Sequence, residues 1–285
     1  MLIRLMLFIF AMMPFTGHVD AGFWDQIKNP FWKPAQAMPP MIKVLIVHDE
    51  PGVVIEVKGK YNLFDPNTRE HISTRFVGKR KFIQALKDGL RWGEEFPGVF
   101  QLLIAPEDFS STTIVDGIEY QGAIYIYDIG GSISVVNEIN IEDYLKSILA
   151  RQYLEPLKEE TLAALAITAR TNAYAQALNP KTEYWAVDGR KMGYLGHAVT
   201  NSNTGIERAI RATKYLILSK SGMNSGAITP FLGAWGDVKT LPDAQASKIT
   251  IKDADEMAIK GSHAAQILSK AFPDSSIVLM YKPGD

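Results

Sequence analysis

Between residues 100 and 178 the hydrophobic period of the chain changes once, and that change most constrains its fold. Residues 100–104, 114–115, 118–120, 123–127 and 133–136 are short β-prone runs, separated by Asp116-Gly117, Gly122 and Gly130-Gly131. After Asn137 the spacing becomes helical. Ile141, Tyr144, Leu145, Ile148 and Leu149 share one side, and Gln152 stands at the end of that apolar stripe. Asn140 is placed to cap this helix, with Glu142 and Asp143 in a first turn whose free amides favour anions. A second helix is expected over 158–178, with Leu162, Leu165, Ala166, Ala169 and Ala173 on its inner face. Its many alanines favour helix and let a neighbour approach closely. Strands come first and helices after, which predicts the α+β class: a short-stranded β meander, a central helical core, then mixed short elements.

The flanks carry weaker signals. Residues 44–47 and 53–57 read as strands, and 82–92 as a short helix with Phe82, Ala85, Leu86 and Leu90 on one face. Thr204 and Glu207 have capping-box spacing ahead of Ala209, Ile210 and Ala212. Asp253 is expected to cap a helix carrying Met257 and Ala258 and stopped by Gly261. Residues 264–271 give one more helix, ended by Pro273.

Residues 1–21 have the order of a cleavable export signal: an early cation at Arg4, an apolar run over 5–15, and Val19-Asp20-Ala21 at the end. The competing reading is a membrane anchor, which Pro14 and Gly17 interrupt. Residues 22–42, with Trp24, Trp32 and four prolines, read as an extended lead-in. The expected location is therefore the periplasm or the extracellular cell envelope. The chain has no cysteine, so disulfides and thiolate chemistry are excluded. Its five histidines, His18, His48, His71, His197 and His263, lack ligand spacing, so no metal is expected. A net charge of −1 argues against nucleic acid as a partner. No other stretch is apolar enough to suggest a membrane span once the signal is gone.

Three separated stretches carry a family resemblance. Residues 118–149 read IEYQGAIYIYDIGGSISVVNEINIEDYLKSIL, residues 162–175 read LAALAITARTNAYA, and residues 253–277 read DADEMAIKGSHAAQILSKAFPDSSI. In this order they resemble the SpoIID/LytB family, in patterns of the kind VVN-x-x-LExYLxGVV, LKAQAVAARTYAL and GAxxMAxxGxxYxxILxxYYPGTxI. The resemblance implies a SpoIID/LytB-like domain over 98–281, preceded by an N-terminal α/β portion over 43–97. It also implies peptidoglycan glycan strands as the partner, with other cell-wall hydrolases or division proteins as further ones. Some members are lytic transglycosylases acting on strands stripped of stem peptides, and no cofactor is required.

By the same resemblance Gln152 occupies the position of the catalytic glutamate, and the family's AEMP becomes Arg151-Gln152-Tyr153-Leu154. Glycosidic cleavage needs a carboxyl group that protonates the leaving oxygen and then accepts a proton. An amide does neither at neutral pH. Glu155, three residues on, is either a substitute acid or a solvated helix-end residue. Other positions depart as well. Leu162-Ala163-Ala164-Leu165 replaces LKAQ, 231–236 lacks the family's histidine and serine, and Gln245 stands where the family has a histidine.

Six residues are singled out as substrate-binding candidates, each with a plainer alternative. Arg170, at the ART position, either contacts glycan or pairs with a buried carboxylate and helix-end carbonyls. Thr171 either lines the cleft or bonds its own helix. Lys191 and Tyr194 lie in a loop that either approaches a ligand or packs over the core. Trp185 and Trp235 offer sugar platforms or serve packing. Active enzyme, non-catalytic glycan binder and protein-interaction scaffold all stay open at this level.

Overall fold

A computed structural model describes residues 40–108, 110–153, 156–197, 204–220, 228–235 and 243–280. These all belong to one compact unit, Pro39–Lys282. The export signal, nearly all of the 22–42 lead-in, and Glu155 lie outside the described residues.

Among the described residues twelve strands come first: β1 (Met41–Glu50), β2 (Gly52–Lys58), β3 (Tyr61–Phe64), β4 (His71–Arg75), β5 (Gly78–Leu86), β6 (Gly89–Trp92), β7 (Glu94–Pro97), β8 (Gln101–Pro106), β9 (Thr112–Val115), β10 (Ile118–Tyr120), β11 (Ala123–Ile129) and β12 (Ser132–Asn140). Helices α1 (Ile141–Gln152) and α2 (Glu159–Leu178) follow. The remainder is short: β13 (Val187–Asp188), α3 (Gly189–Met192), α4 (Thr204–Ala212), β14 (Leu216–Lys220), β15 (Gly233–Ala234), β16 (Gln245–Ala246), α5 (Ile251–Ile259), α6 (Ala264–Ala271) and β17 (Ser275–Leu279). The α+β class holds, with a strand-rich first half and a helical core behind it.

The strands form two main sheets, ordered β13-β1-β12-β11-β8-β3-β4 and β10-β9-β2-β5-β6-β7. The meander is thus split: β8, β11 and β12 pair in the first sheet, while β9 and β10 join the second. Strands from either side of residue 97 interleave in both, since β1 pairs with β12 and β2 with β9. Alternation sets the faces. Val44, Leu63, Leu102, Ile104, Ile124, Ile126 and Val135 point inward from the first sheet. There they share one core with Ile55, Val57, Ile83, Leu90 and Trp92 of the second sheet and with Ile141, Tyr144 and Leu145 of α1.

Two local expectations are corrected. Residues 82–92 are not helical but form the β5–β6 hairpin, with Leu86 opposite Gly89 across a two-residue turn. Gly89 has φ +139, and an added Cβ there would lie 2.2 Å from the Phe96 carbonyl oxygen, so glycine permits the turn. The turn itself is Lys87-Asp88, and Gly89 follows it at the first paired position of β6. At α5 the cap is Thr250, not Asp253. Asp253 is the third helical residue, and it closes a capping box by accepting from the Thr250 amide at 2.9 Å.

Helix α2 is buried on nearly every side rather than along one face, with Leu162, Ala166 and Ala173 in the large core and Ala164, Leu165 and Ile167 in a second one. That second core holds Leu218, Phe231, Trp235, Leu268 and Phe272. Among the described residues no helix is long and apolar enough to cross a membrane.

Candidate functional site

The expected Asn140 cap forms: its Oδ1 accepts from the Glu142 amide at 2.8 Å and starts α1. The far end of α1 presents Gln152, exposed, at the rim of a narrow cleft between α1 and α2. Tyr144, Ile148 and Tyr153 form one wall, and Thr168, Ala169, Asn172 and Gln176 the other. Gly233, Ala234 and Trp235 close the end, and Met192 lies alongside. The cavity measures about 50 Å³, room for a small substituent rather than a whole sugar ring.

Three polar residues of α2 reach this cleft at a spacing of four: Thr168, Asn172 and Gln176. None was singled out from the sequence, although the i, i+4 stripe in an otherwise alanine-rich helix was a usable signal. Asn172 secures the end wall. Its Nδ2 donates to the Gly233 carbonyl at 2.8 Å, and its Oδ1 accepts from the Gly233 amide at 2.7 Å. A side chain at Gly233 would press on Phe272 and Thr168 at 3.2–3.3 Å. Trp235 stands edge-on to Phe272 at 5.6 Å. The buried Tyr144 hydroxyl and Trp235 Nε1 have no hydrogen-bond partner among the described residues. Burial pushes the Tyr144 hydroxyl pKa up and that of Tyr153 up to about 12, so both stay neutral donors at physiological pH.

Among the described residues, no Asp, Glu, His, Lys or Arg lines the cleft. What faces it is amides, two phenols, an indole and apolar groups. Such a surface donates to and accepts from hydroxyl or acetamido groups.

The other candidates are dispersed. Arg170 is fully buried: Nε and Nη2 each meet Glu142 at 2.8 Å, and Nη1 and Nη2 reach the carbonyls of Leu216 and Ile210 at 3.1 Å. It therefore takes the structural alternative and cannot touch a glycan. Glu142, which the sequence placed only as an anion in the first turn of α1, is its buried partner. Thr171 is likewise enclosed, donating to the Ile167 carbonyl at 2.7 Å and accepting from the Leu218 amide at 2.8 Å.

Tyr194 is buried too and offers no stacking face. Its hydroxyl meets Asn137 Oδ1 at 2.5 Å, and its ring packs near Tyr120 and Tyr144. Lys191 is solvated, 3.7 Å from Asp188. Trp185 lies away from the cleft, edge-on to His48 at 5.2 Å and beside Tyr184. Of the singled-out residues that are described, only Gln152 and Trp235 meet in one cleft.

Fold and site together define an α+β protein whose strand-to-helix junction leads into a cleft at the end of α1 with a polar, uncharged lining among the described residues. Residues 130–219, which carry α1, α2 and the Gln152 rim, match the SpoIID family, described as stage II sporulation protein. The chain is 34% identical over 265 residues to an uncharacterised protein of Chlamydia pneumoniae, covering 91% of this chain and 89% of that one. It is 33% identical over 243 residues to another of Chlamydia muridarum, covering 85% and 78%. A protein of Brachyspira hyodysenteriae is 27% identical over 183 residues, covering 64% of this chain and 49% of that one. No solved structure matches. The chain belongs to one family with these chlamydial proteins, related to SpoIID through the segment that carries the two walls of the cleft.

Proposed function

We propose that this is an exported, glycan-strand-binding protein of the cell envelope that holds peptidoglycan glycan without cleaving it. The observation that carries the reading is the cleft at Gln152, which keeps hydrogen-bonding amides and an indole but has no carboxylate among its described lining residues. The small cavity suits an acetamido substituent, with the sugar rings lying across the open rim. Export rests on the signal-like order of residues 1–21.

The test incubates the purified protein with glycan stripped of stem peptides, then reads retention on sacculi and 1,6-anhydro ends by mass. Retention without new anhydro ends is expected. Anhydro ends that vanish in Glu155→Ala would replace the binder with an enzyme using that acid. Absence of retention on both stripped and peptide-bearing glycan would favour a protein-interaction scaffold. Gln152→Glu restores a carboxyl at the rim, and any anhydro product it gains would show that the rest of the site still positions a glycosidic bond.

A further inference from the structure

The outer face of the first sheet carries a second, roomier depression that shares no residue with the Gln152 cleft. Register builds its floor. Phe64 pairs with Leu103 and Leu103 with Tyr125, while Gln101 pairs with Tyr127 in the next row. Tyr125 and Tyr127, two apart on β11, therefore point the same way and stack at 6.0 Å with planes 14° apart. Tyr184 tilts over Tyr127 at 4.8 Å. One wall is this 183–184 segment. The other is the β3–β4 turn with Pro66, Asn67 and Arg69, held by Asp65 Oδ1 accepting from the amides of Asn67 and Thr68 at 2.7 and 3.1 Å. The groove between them measures about 680 Å³, within the usual size of ligand sites.

Its polar groups are balanced. Lys43 and Arg69 oppose Glu138 and Glu183 along the lining. Lys43 Nζ sits 4.2 Å over the Tyr125 ring, and the Tyr125 hydroxyl donates to Glu138 at 2.8 Å. A polyanion would meet as many carboxylates as cations. An extended peptide would want a free strand edge, whereas β8 and β11, which form the floor, are each paired on both sides. A neutral sugar meets both demands of the surface. Its C–H faces lie against the half-buried rings of Tyr125 and Tyr184, with Tyr127 buried behind them, and its hydroxyls find donors and acceptors at the walls.

We propose that this tyrosine groove is a neutral-oligosaccharide site, separate from the Gln152 cleft and going beyond the function proposed for it. Each depression carries one tryptophan at hand: Trp185, 6.0 Å from Tyr184, and Trp235 in the cleft. The experiment titrates the full chain with a tetramer of N-acetylglucosamine and with a tetramer of glucose, reading tryptophan fluorescence and calorimetric heat. For at least one sugar, binding is expected to weaken about tenfold in Tyr184→Ala, given the worth of an aromatic contact. The fluorescence change should persist in Trp235→Phe and be lost in Trp185→Phe, with circular dichroism confirming the fold of each variant. A response that follows Trp235 alone overturns the groove while leaving the glycan reading of the cleft intact. No heat with either sugar, or unchanged affinity in Tyr184→Ala, also overturns it. Retention on sacculi, tested separately, reports on the cleft.

Discussion

Arg170, in the middle of α2, grips Glu142, in the first turn of α1, through two parallel 2.8 Å contacts, and the same guanidinium reaches the Ile210 and Leu216 carbonyls. The pair fixes how α1 lies along α2, and Gln152 is the last residue of α1. Removing one partner strands a charge in the core. Glu142→Ala or Arg170→Met alone should cost about 3–5 kcal/mol, whereas replacing both by apolar residues of similar volume should cost much less. Urea unfolding of the two single variants and the double variant checks this, because a merely additive loss would mean the fork is not the coupled unit.

Asn172 provides the end wall of the cleft by exchanging two hydrogen bonds with Gly233. Asn172→Ala leaves both Gly233 backbone groups without that partner, so a loss of about 1–3 kcal/mol is expected. The sharper readout is local. Trp235 follows Gly233 by two residues, and its emission should shift to the red as the wall loosens and water enters. Unchanged emission with full loss of stability would place the role of Asn172 in the fold rather than in the cleft.

The helical half was legible because its determinants are local. Asn140 caps α1 as its position suggests, and α2 begins and ends within a residue of the expected 158–178. The hairpin over 82–92 was missed because Phe82, Ala85, Leu86 and Leu90 satisfy a helical period by accident, while Ile83, Leu90 and Trp92 decide the matter by burying in a sheet. The site was half legible. Motif order pointed to Gln152, which lines the candidate cleft, but burial is a tertiary property. No spacing in the sequence shows that Arg170, Thr171 and Tyr194 face inward, or that Trp185 sits on another surface.

Tyr194 and Asn137 meet in the core at 2.5 Å, and the Asn137 amide also donates to the carbonyls of Gln121 and Ala123. Burial raises the pKa of Tyr194 well above the usual phenol value, and raises those of Tyr120 and Tyr153 to about 12. Folded values above the unfolded one mean that this stability is complete below about pH 10 and declines as pH rises past it. Thermal melts between pH 8 and 11.5 should show the decline. Tyr194→Phe should start about 1 kcal/mol lower at neutral pH and fall less steeply in alkali. Parallel curves for the two proteins would exclude Tyr194 as a contributor.

The start of α2 has no cap of its own: Lys158 offers no side-chain acceptor, and the neighbouring helix supplies one. Asp255 Oδ1, from α5, accepts from the Lys158 amide and from Thr161 Oγ1, both at 2.8 Å. Glu160 of α2 returns the contact by accepting from the Ala264 amide at the start of α6 at 2.7 Å. Each helix start is thus completed by a residue roughly a hundred positions away in sequence, which no local spacing reveals. Asp255→Ala removes the acceptor and the charge and should cost about 1 kcal/mol. Asp255→Asn keeps an acceptor oxygen and should cost less. Comparing the two in low and high salt separates the contributions, since only the loss caused by removing charge shrinks with screening. Equal losses in Ala and Asn that vanish in salt would make the contact electrostatic alone. A salt-independent loss confined to Ala would identify it as the hydrogen-bonded cap that the geometry describes.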